Sequence, residues 1–241
     1  MGFIELESQK IPRISIGTSP FIGAGQFGPI AITWRMTYLN DANLMAKLMI
    51  ACYNHGAEGV EVVPVGHILK AAAIVQQTYP DFTILASTLW KSEADNFLID
   101  ELIKADAKII FLHGSISDQR NLNLITPLLS RIRTAGKIPG MSTHEPLQTI
   151  PFIQQNKLDC PAILLPFNAR GEFMGNQKAV EELVDSLDYF FVAMKSLAAG
   201  KIPPKIAFPY LGQHNISAVT VGMVTEEEIT ETVTEAKKVF R

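Results

Sequence analysis

The chain has 241 residues, 47% of them apolar and 19% charged, with a formal net charge of −3. That balance suits one globular domain with a large core, and without a basic stripe it gives no reason to expect nucleic acid or an anionic membrane as partner; a small-molecule substrate is expected instead. No apolar run reaches the roughly 18 residues of a membrane span, MGFIELESQK puts acids where a signal peptide carries positive charge, and the two separated cysteines, Cys52 and Cys160, fit a reduced, cytoplasmic setting.

In chain order, short runs of β-formers occupy residues 14–17, 59–63, 83–87, 108–112, 137–141, 162–166, 190–194 and 217–221. From the second onward they recur roughly every 25 residues, the beat of repeated strand–helix units. Amphipathic helix patterns fill most gaps: Leu44, Leu48 and Cys52 line one face, Leu122, Ile125, Leu129 and Ile132 another, Val180, Leu183 and Leu187 a third. Because the runs are apolar throughout rather than alternating, they suit parallel strands covered on both sides. Eight of them predict a single-domain (β/α)8 TIM barrel over residues 1–241.

Two intervals depart from the beat. Residues 18–40 read as a long glycine- and aromatic-containing loop before a helix opening at Asn40 or Asp41. Gly23, Gly25 and Gly28 within it spell G-x-G-x-x-G, but a dinucleotide fingerprint needs a helix starting inside the motif. Pro29 and the β-branched, aromatic residues 30–34 argue against that helix, so the glycines read as hinge material over the barrel mouth. The helix slot after residues 190–194 holds Pro203, Pro204 and Pro209, leaving room for a short helical turn only.

Barrel chemistry sits where the strands end. Those positions hold Thr18 and Ser19, Glu61, Thr88, His113, Ser142 to Glu145, Asn168, Lys195 and Gly222. Glu61 is a carboxylate inside an apolar strand; burial raises such a pKa, which suits acid–base work, with a structural carboxylate as the alternative. His113 ends IIFLH and is a candidate catalytic residue, the alternative being an imidazole held by backbone hydrogen bonds. Lys195 suits a Schiff base, a phosphate contact or a side chain reaching out to water.

The motifs IPRISIGTSPFIG, HGAEGVEVVPVGH, IIFLHG, GKIPGMSTHE, FFVAMKSLAAGKI and AVTVGMVTEEEI follow one another as in the aldo-keto reductases, which this chain resembles over nearly its whole length. The resemblance implies an NAD(P)-linked oxidoreductase acting on a small carbonyl or alcohol in the barrel mouth. It matches His113 to the histidine that orients the carbonyl and Glu61 to the family aspartate. It matches Ser142 to the serine that holds the nicotinamide carboxamide and Gly222 to the last phosphate turn. The family's tyrosine proton donor falls at Gly66 and its lysine at Thr88, neither of which does that work, leaving Tyr38, Tyr210 and Lys195 as candidate replacements. The basic residue for the 2′-phosphate falls at Val224, followed by Glu226, Glu227 and Glu228 in a helix start that Thr225 caps, with Glu228 closing a capping box. No metal is expected on this reading. The alternatives are a metal-assisted enzyme using Glu61, His113 and His144 or Glu145, and a ligand-binding protein without catalysis.

Overall fold

The computed structural model describes residues 2–89 and 98–240. It opens with an antiparallel hairpin, β1 (Phe3–Leu6) and β2 (Gln9–Pro12), turned by Glu7 and Ser8 at φ 47° and 64°. Eight parallel strands follow: β3 (Ile14–Gly17), β4 (Gly59–Val62), β5 (Thr83–Ser87), β6 (Ile109–Leu112), β7 (Ile138–Ser142), β8 (Ala162–Pro166), β9 (Phe190–Met194) and β10 (Ala218–Val221). Each pairs with the next and β10 pairs with β3, closing the predicted barrel. Around it run α1 (Ile30–Tyr38), α2 (Ala42–His55), α3 (Ile68–Thr78), α4 (Ile99–Lys104), α5 (Gly114–Ser117), α6 (Leu122–Thr134), α7 (Pro146–Gln155), α8 (Gln177–Asp185), α9 (Pro204–Leu211) and α10 (Glu226–Val239). Among the described residues no helix is long and apolar enough to cross a membrane.

Strand alternation decides which side chains meet at the centre. Ile14, Ile16, Val60, Val62, Ile84, Ala86, Ile110, Leu112, Met141, Ile163, Leu165, Phe191, Ala193, Val219 and Val221 pack outward against the helices. Leu85, Ile109, Phe111, Ile138, Ala162, Leu164, Phe190, Val192 and Ala218 form a separate interior cluster. By the same parity Gly17, Glu61, Ser87, Ser142 and Thr220 face inward, and His113 continues the inward register of Ile109 and Phe111. The apolar half of the interior lies toward the strand starts and the polar half toward their ends.

The hairpin is absent from the sequence expectation. It stoppers the lower end of the barrel, with Ile11 fully buried in the interior cluster and Ile4 and Leu6 packed against it. Ile11→Ala is expected to cost about 2–5 kcal/mol, as large-to-small changes in dense cores do; a urea midpoint equal to wild type would show that the stopper is only laid against the barrel.

Three expectations are corrected. Residues 30–38 form α1 rather than loop: Pro29 at φ −60° precedes the first turn, where proline is preset for helix. Its aromatic residues gain tertiary partners that override weak propensity, Trp34 against Phe27 at 5.1 Å and Tyr38 against Phe21 at 5.3 Å between ring centroids. A helix therefore does follow the G-x-G-x-x-G stretch, yet in a closed barrel and after a 3-10 turn at Gly25–Phe27, so no Rossmann crevice exists for it. The proline-rich slot carries α9, a helix of 8 residues with Pro204 in its first turn and Pro209 inside.

Candidate active site at the barrel mouth

A cavity of about 350 Å³ opens at the strand ends. Its wall includes Glu61, Gly17, Met194, Lys195, Gly222 and Val224, with Glu228, Glu231 and Thr232 of α10, Gln26 and Phe27 of the first loop and Trp34 of α1. Of the four site residues predicted from sequence, Glu61 and Gly222 line this space. His113 stands at the mouth beside His144, and Ser142 is buried at the end of β7 outside the cavity wall.

Glu61 is buried, and its Oε1 accepts a 2.6 Å hydrogen bond from Ser87 Oγ on the neighbouring strand. It has no ion-pair partner among the described residues. Burial disfavours its charge and pushes the pKa to about 7, against which the Ser87 hydrogen bond pulls only weakly. A carboxyl poised there exists in both forms near neutrality.

His113 is oriented from two sides. Its backbone N–H donates to Thr88 Oγ1 at 3.0 Å, and its Nδ1 accepts the backbone N–H of Ser115 at 3.1 Å. An accepting Nδ1 places the proton of the neutral ring on Nε2, the form that donates to a carbonyl. Burial holds its pKa down at about 4, with the neighbouring His144 adding to the depression. Thr88 thus acts as a backbone tie between β5 and β6.

His144 lies 6.2 Å from His113 between ring centroids. Asp118 accepts hydrogen bonds from the His144 backbone N–H at 2.9 Å, from Thr149 Oγ1 at 2.8 Å and from Thr143 Oγ1. Glu145 pairs with Arg120 at 2.6 Å. Among the described residues no three His, Cys, Asp or Glu converge as a metal site, so the metal alternative built on Glu61, His113 and His144 or Glu145 gains no support.

The candidate replacements for the tyrosine separate. Tyr38 Oη donates to the Val224 carbonyl at 3.4 Å, and Tyr210 Oη donates to Glu181 Oε1 at 2.6 Å while its ring stacks on Phe167. Both are absent from the cavity wall, whereas Lys195 is part of it. The predicted cap of α10 forms with a shift: Thr225 Oγ1 accepts the Glu228 N–H at 3.2 Å, but Glu228 Oε2 accepts from Val224 N–H at 2.8 Å, one residue earlier than a capping box requires.

Sequence reasoning missed two site residues. Ser196 Oγ and Thr220 Oγ1 are buried in the cavity wall with no hydrogen-bond partner among the described residues. Buried orphan hydroxyls are costly unless a ligand or water completes them. Thr220 was legible from the inward parity of AVTV; Ser196 was not, because it follows the strand in a loop where Lys195, Ala198 and Ala199 take φ of 55°, 48° and 57°.

No protein-family profile and no curated protein matches the sequence. Among solved structures, a putative aldo-keto reductase from Pseudomonas aeruginosa is similar at TM-score 0.73 and 13% identity over 99% of this chain and 95% of that one. A Gox0644 variant in complex with NADPH is similar at TM-score 0.70 and 10% identity, over 97% and 87% respectively. The holo form of aldo-keto reductase AKR11C1 from Bacillus halodurans is similar at TM-score 0.69 and 10% identity, over 98% and 91%. The chain therefore shares the barrel fold of the solved aldo-keto reductases while standing far from them in sequence.

Proposed function

We propose that the protein is an NAD(P)-linked oxidoreductase of a small carbonyl or alcohol, working in the barrel mouth with Glu61 as the proton donor. The observation that carries this reading is Glu61 itself, an inward-facing carboxyl on the cavity wall, without a cation and with its pKa raised to about 7. His113 orients the carbonyl oxygen through Nε2–H, and Glu61 delivers the proton that the reduced oxygen needs. A nicotinamide dinucleotide suits the cavity on one ground: the two orphan hydroxyls, Ser196 and Thr220, in its wall. When bound it supplies the hydride. The residues that would hold it are Ser196, Thr220 and Gly222; Ser142 lies outside the wall, so a carboxamide role for it has no support from the cavity's shape.

The far end of the cavity is acidic. Glu228 and Glu231 stand there, and Val224 occupies the position of the family's basic residue. A 2′-phosphate would meet like charge at that end, whereas a ribose hydroxyl finds carboxylate acceptors. NADH is therefore expected to bind at least as tightly as NADPH, followed by quenching of Trp34 on the cavity wall. The other tryptophan, Trp90, lies outside the described residues. NADPH binding tenfold tighter than NADH would refute the electrostatic argument, and no binding of either would refute the oxidoreductase reading.

A further inference from the structure

Lys195 is a cation in an unusual position. It follows β9 at φ 55°, lies half-buried on the cavity wall, and its Nζ sits 4.5 Å over the Phe173 ring. It makes no ion pair among the described residues, and the described acids nearby have other partners. Glu172 pairs with Lys201 at 3.1 Å and Arg170 at 3.7 Å, Asp118 is taken up by Thr143, His144 and Thr149, and Glu145 by Arg120. Burial is the main cause of the depressed pKa of His144 and of His113, and the Lys195 charge adds to both, so the ammonium stands near the two imidazoles. A half-buried cation facing a cavity without a counter-ion is costly by itself and is completed by an anionic ligand.

We infer that the mouth selects a carbonyl compound bearing a carboxylate beside the carbonyl, a 2-oxo acid, with Lys195 as the counter-ion of that carboxylate. The inference rests on the oxidoreductase reading above and names its substrate class. With both imidazoles held neutral and Glu61 largely uncharged below neutrality, Lys195 is the cation available on the cavity wall to a substrate carboxylate. In the reduction, the carbonyl carbon gains the hydride and the oxygen gains the Glu61 proton. The substrate becomes a 2-hydroxy acid and the nicotinamide is left oxidised, so electrons and protons balance.

The test separates a substrate carboxylate from a cofactor pyrophosphate. Oxamate, an unreactive monoanionic mimic of a 2-oxo acid, and ADP are titrated calorimetrically into wild type, Lys195→Met and Lys195→Arg, with NADH binding measured alongside. Expected are oxamate binding to wild type, at least tenfold weaker binding to Lys195→Met, recovery in Lys195→Arg, and ADP binding that is the same in all three. With glyoxylate as substrate, Lys195→Met is expected to raise KM more than it lowers kcat. The inference is overturned if oxamate does not bind wild type, if it binds Lys195→Met as well as wild type, or if ADP rather than oxamate loses affinity. Circular dichroism melts guard against a misfolded variant; if Lys195→Met does not fold, the oxamate affinity of Lys195→Gln decides. Oxamate binding with no NADH binding would sink the oxidoreductase reading and leave the carboxylate site standing, whereas NADH binding without oxamate binding does the reverse.

Discussion

Under the proposed function, Glu61→Gln is expected to lower the turnover of carbonyl reduction by about 10²–10⁴-fold at neutral pH, the range for removal of a general acid. Glutamine keeps the shape and still accepts the Ser87 hydrogen bond, so the loss isolates the proton. The wild-type pH profile carries the same signature. The donating form is the protonated one, so with a pKa of about 7 the rate of reduction is flat below neutrality and falls tenfold per pH unit above it. In Glu61→Gln that descending limb disappears.

The same substitution moves stability in the opposite direction. The folded pKa of about 7 lies above the ordinary 4.5, so between those pH values the native state keeps a proton that the unfolded chain releases. Stability therefore falls as pH rises from about 4.5 to about 7 and is level above that, a change on the order of 3 kcal/mol for a shift of this size. Glu61→Gln escapes it, and its melting temperature should exceed that of wild type increasingly from acid to neutral pH. A variant less stable than wild type at pH 8 would mean that the carboxylate is charged and structural, and the proposed donor would be lost with it.

The barrel was legible because its signal is repeated. Eight apolar runs at an even spacing leave little choice of topology, and alternation within each run then places Glu61 and His113 on the inner face. What escaped was set by contacts that no local pattern announces. The hairpin at Phe3–Pro12 looks like an ordinary polar terminus until Ile4, Leu6 and Ile11 find the barrel floor. Residues 30–38 read as part of a long loop until Phe21 and Phe27 supply partners for the aromatic rings of α1. Tyr38 and Tyr210 were chemically plausible donors, and only the structure shows their hydroxyls bonded to the Val224 carbonyl and to Glu181, with neither ring on the cavity wall. The charge of Lys195 was visible in the sequence, but that it makes no ion pair among the described residues depends on how the chain folds around it.

Gly66→Tyr, which would place the tyrosine donor of the aldo-keto reductases at the position that the resemblance assigns it, is expected to destabilise the protein and add no turnover. Gly66 has φ +57°, a region that costs a side-chain-bearing residue about 1–2 kcal/mol. Space is the larger obstacle. A Cβ there would collide with the Leu39 carbonyl oxygen and come within 2.7 Å of the Leu39 side chain, and that carbonyl already accepts the His67 N–H at 2.9 Å. The loop after β4 is thus seated against the junction of α1 and α2, beneath the helix that carries Trp34 over the cavity. Relief requires moving that junction or the loop, and a total loss on the order of 3 kcal/mol or more follows from combined strain and overpacking. Gly66→Ala should account for most of it in urea melts, since the first carbon meets the obstruction. The fold has closed around the glycine, which favours the proposed donor, a residue already facing the cavity. A stable Gly66→Tyr with increased turnover would show instead that the loop yields readily, and would return the proton-donor role to a phenol.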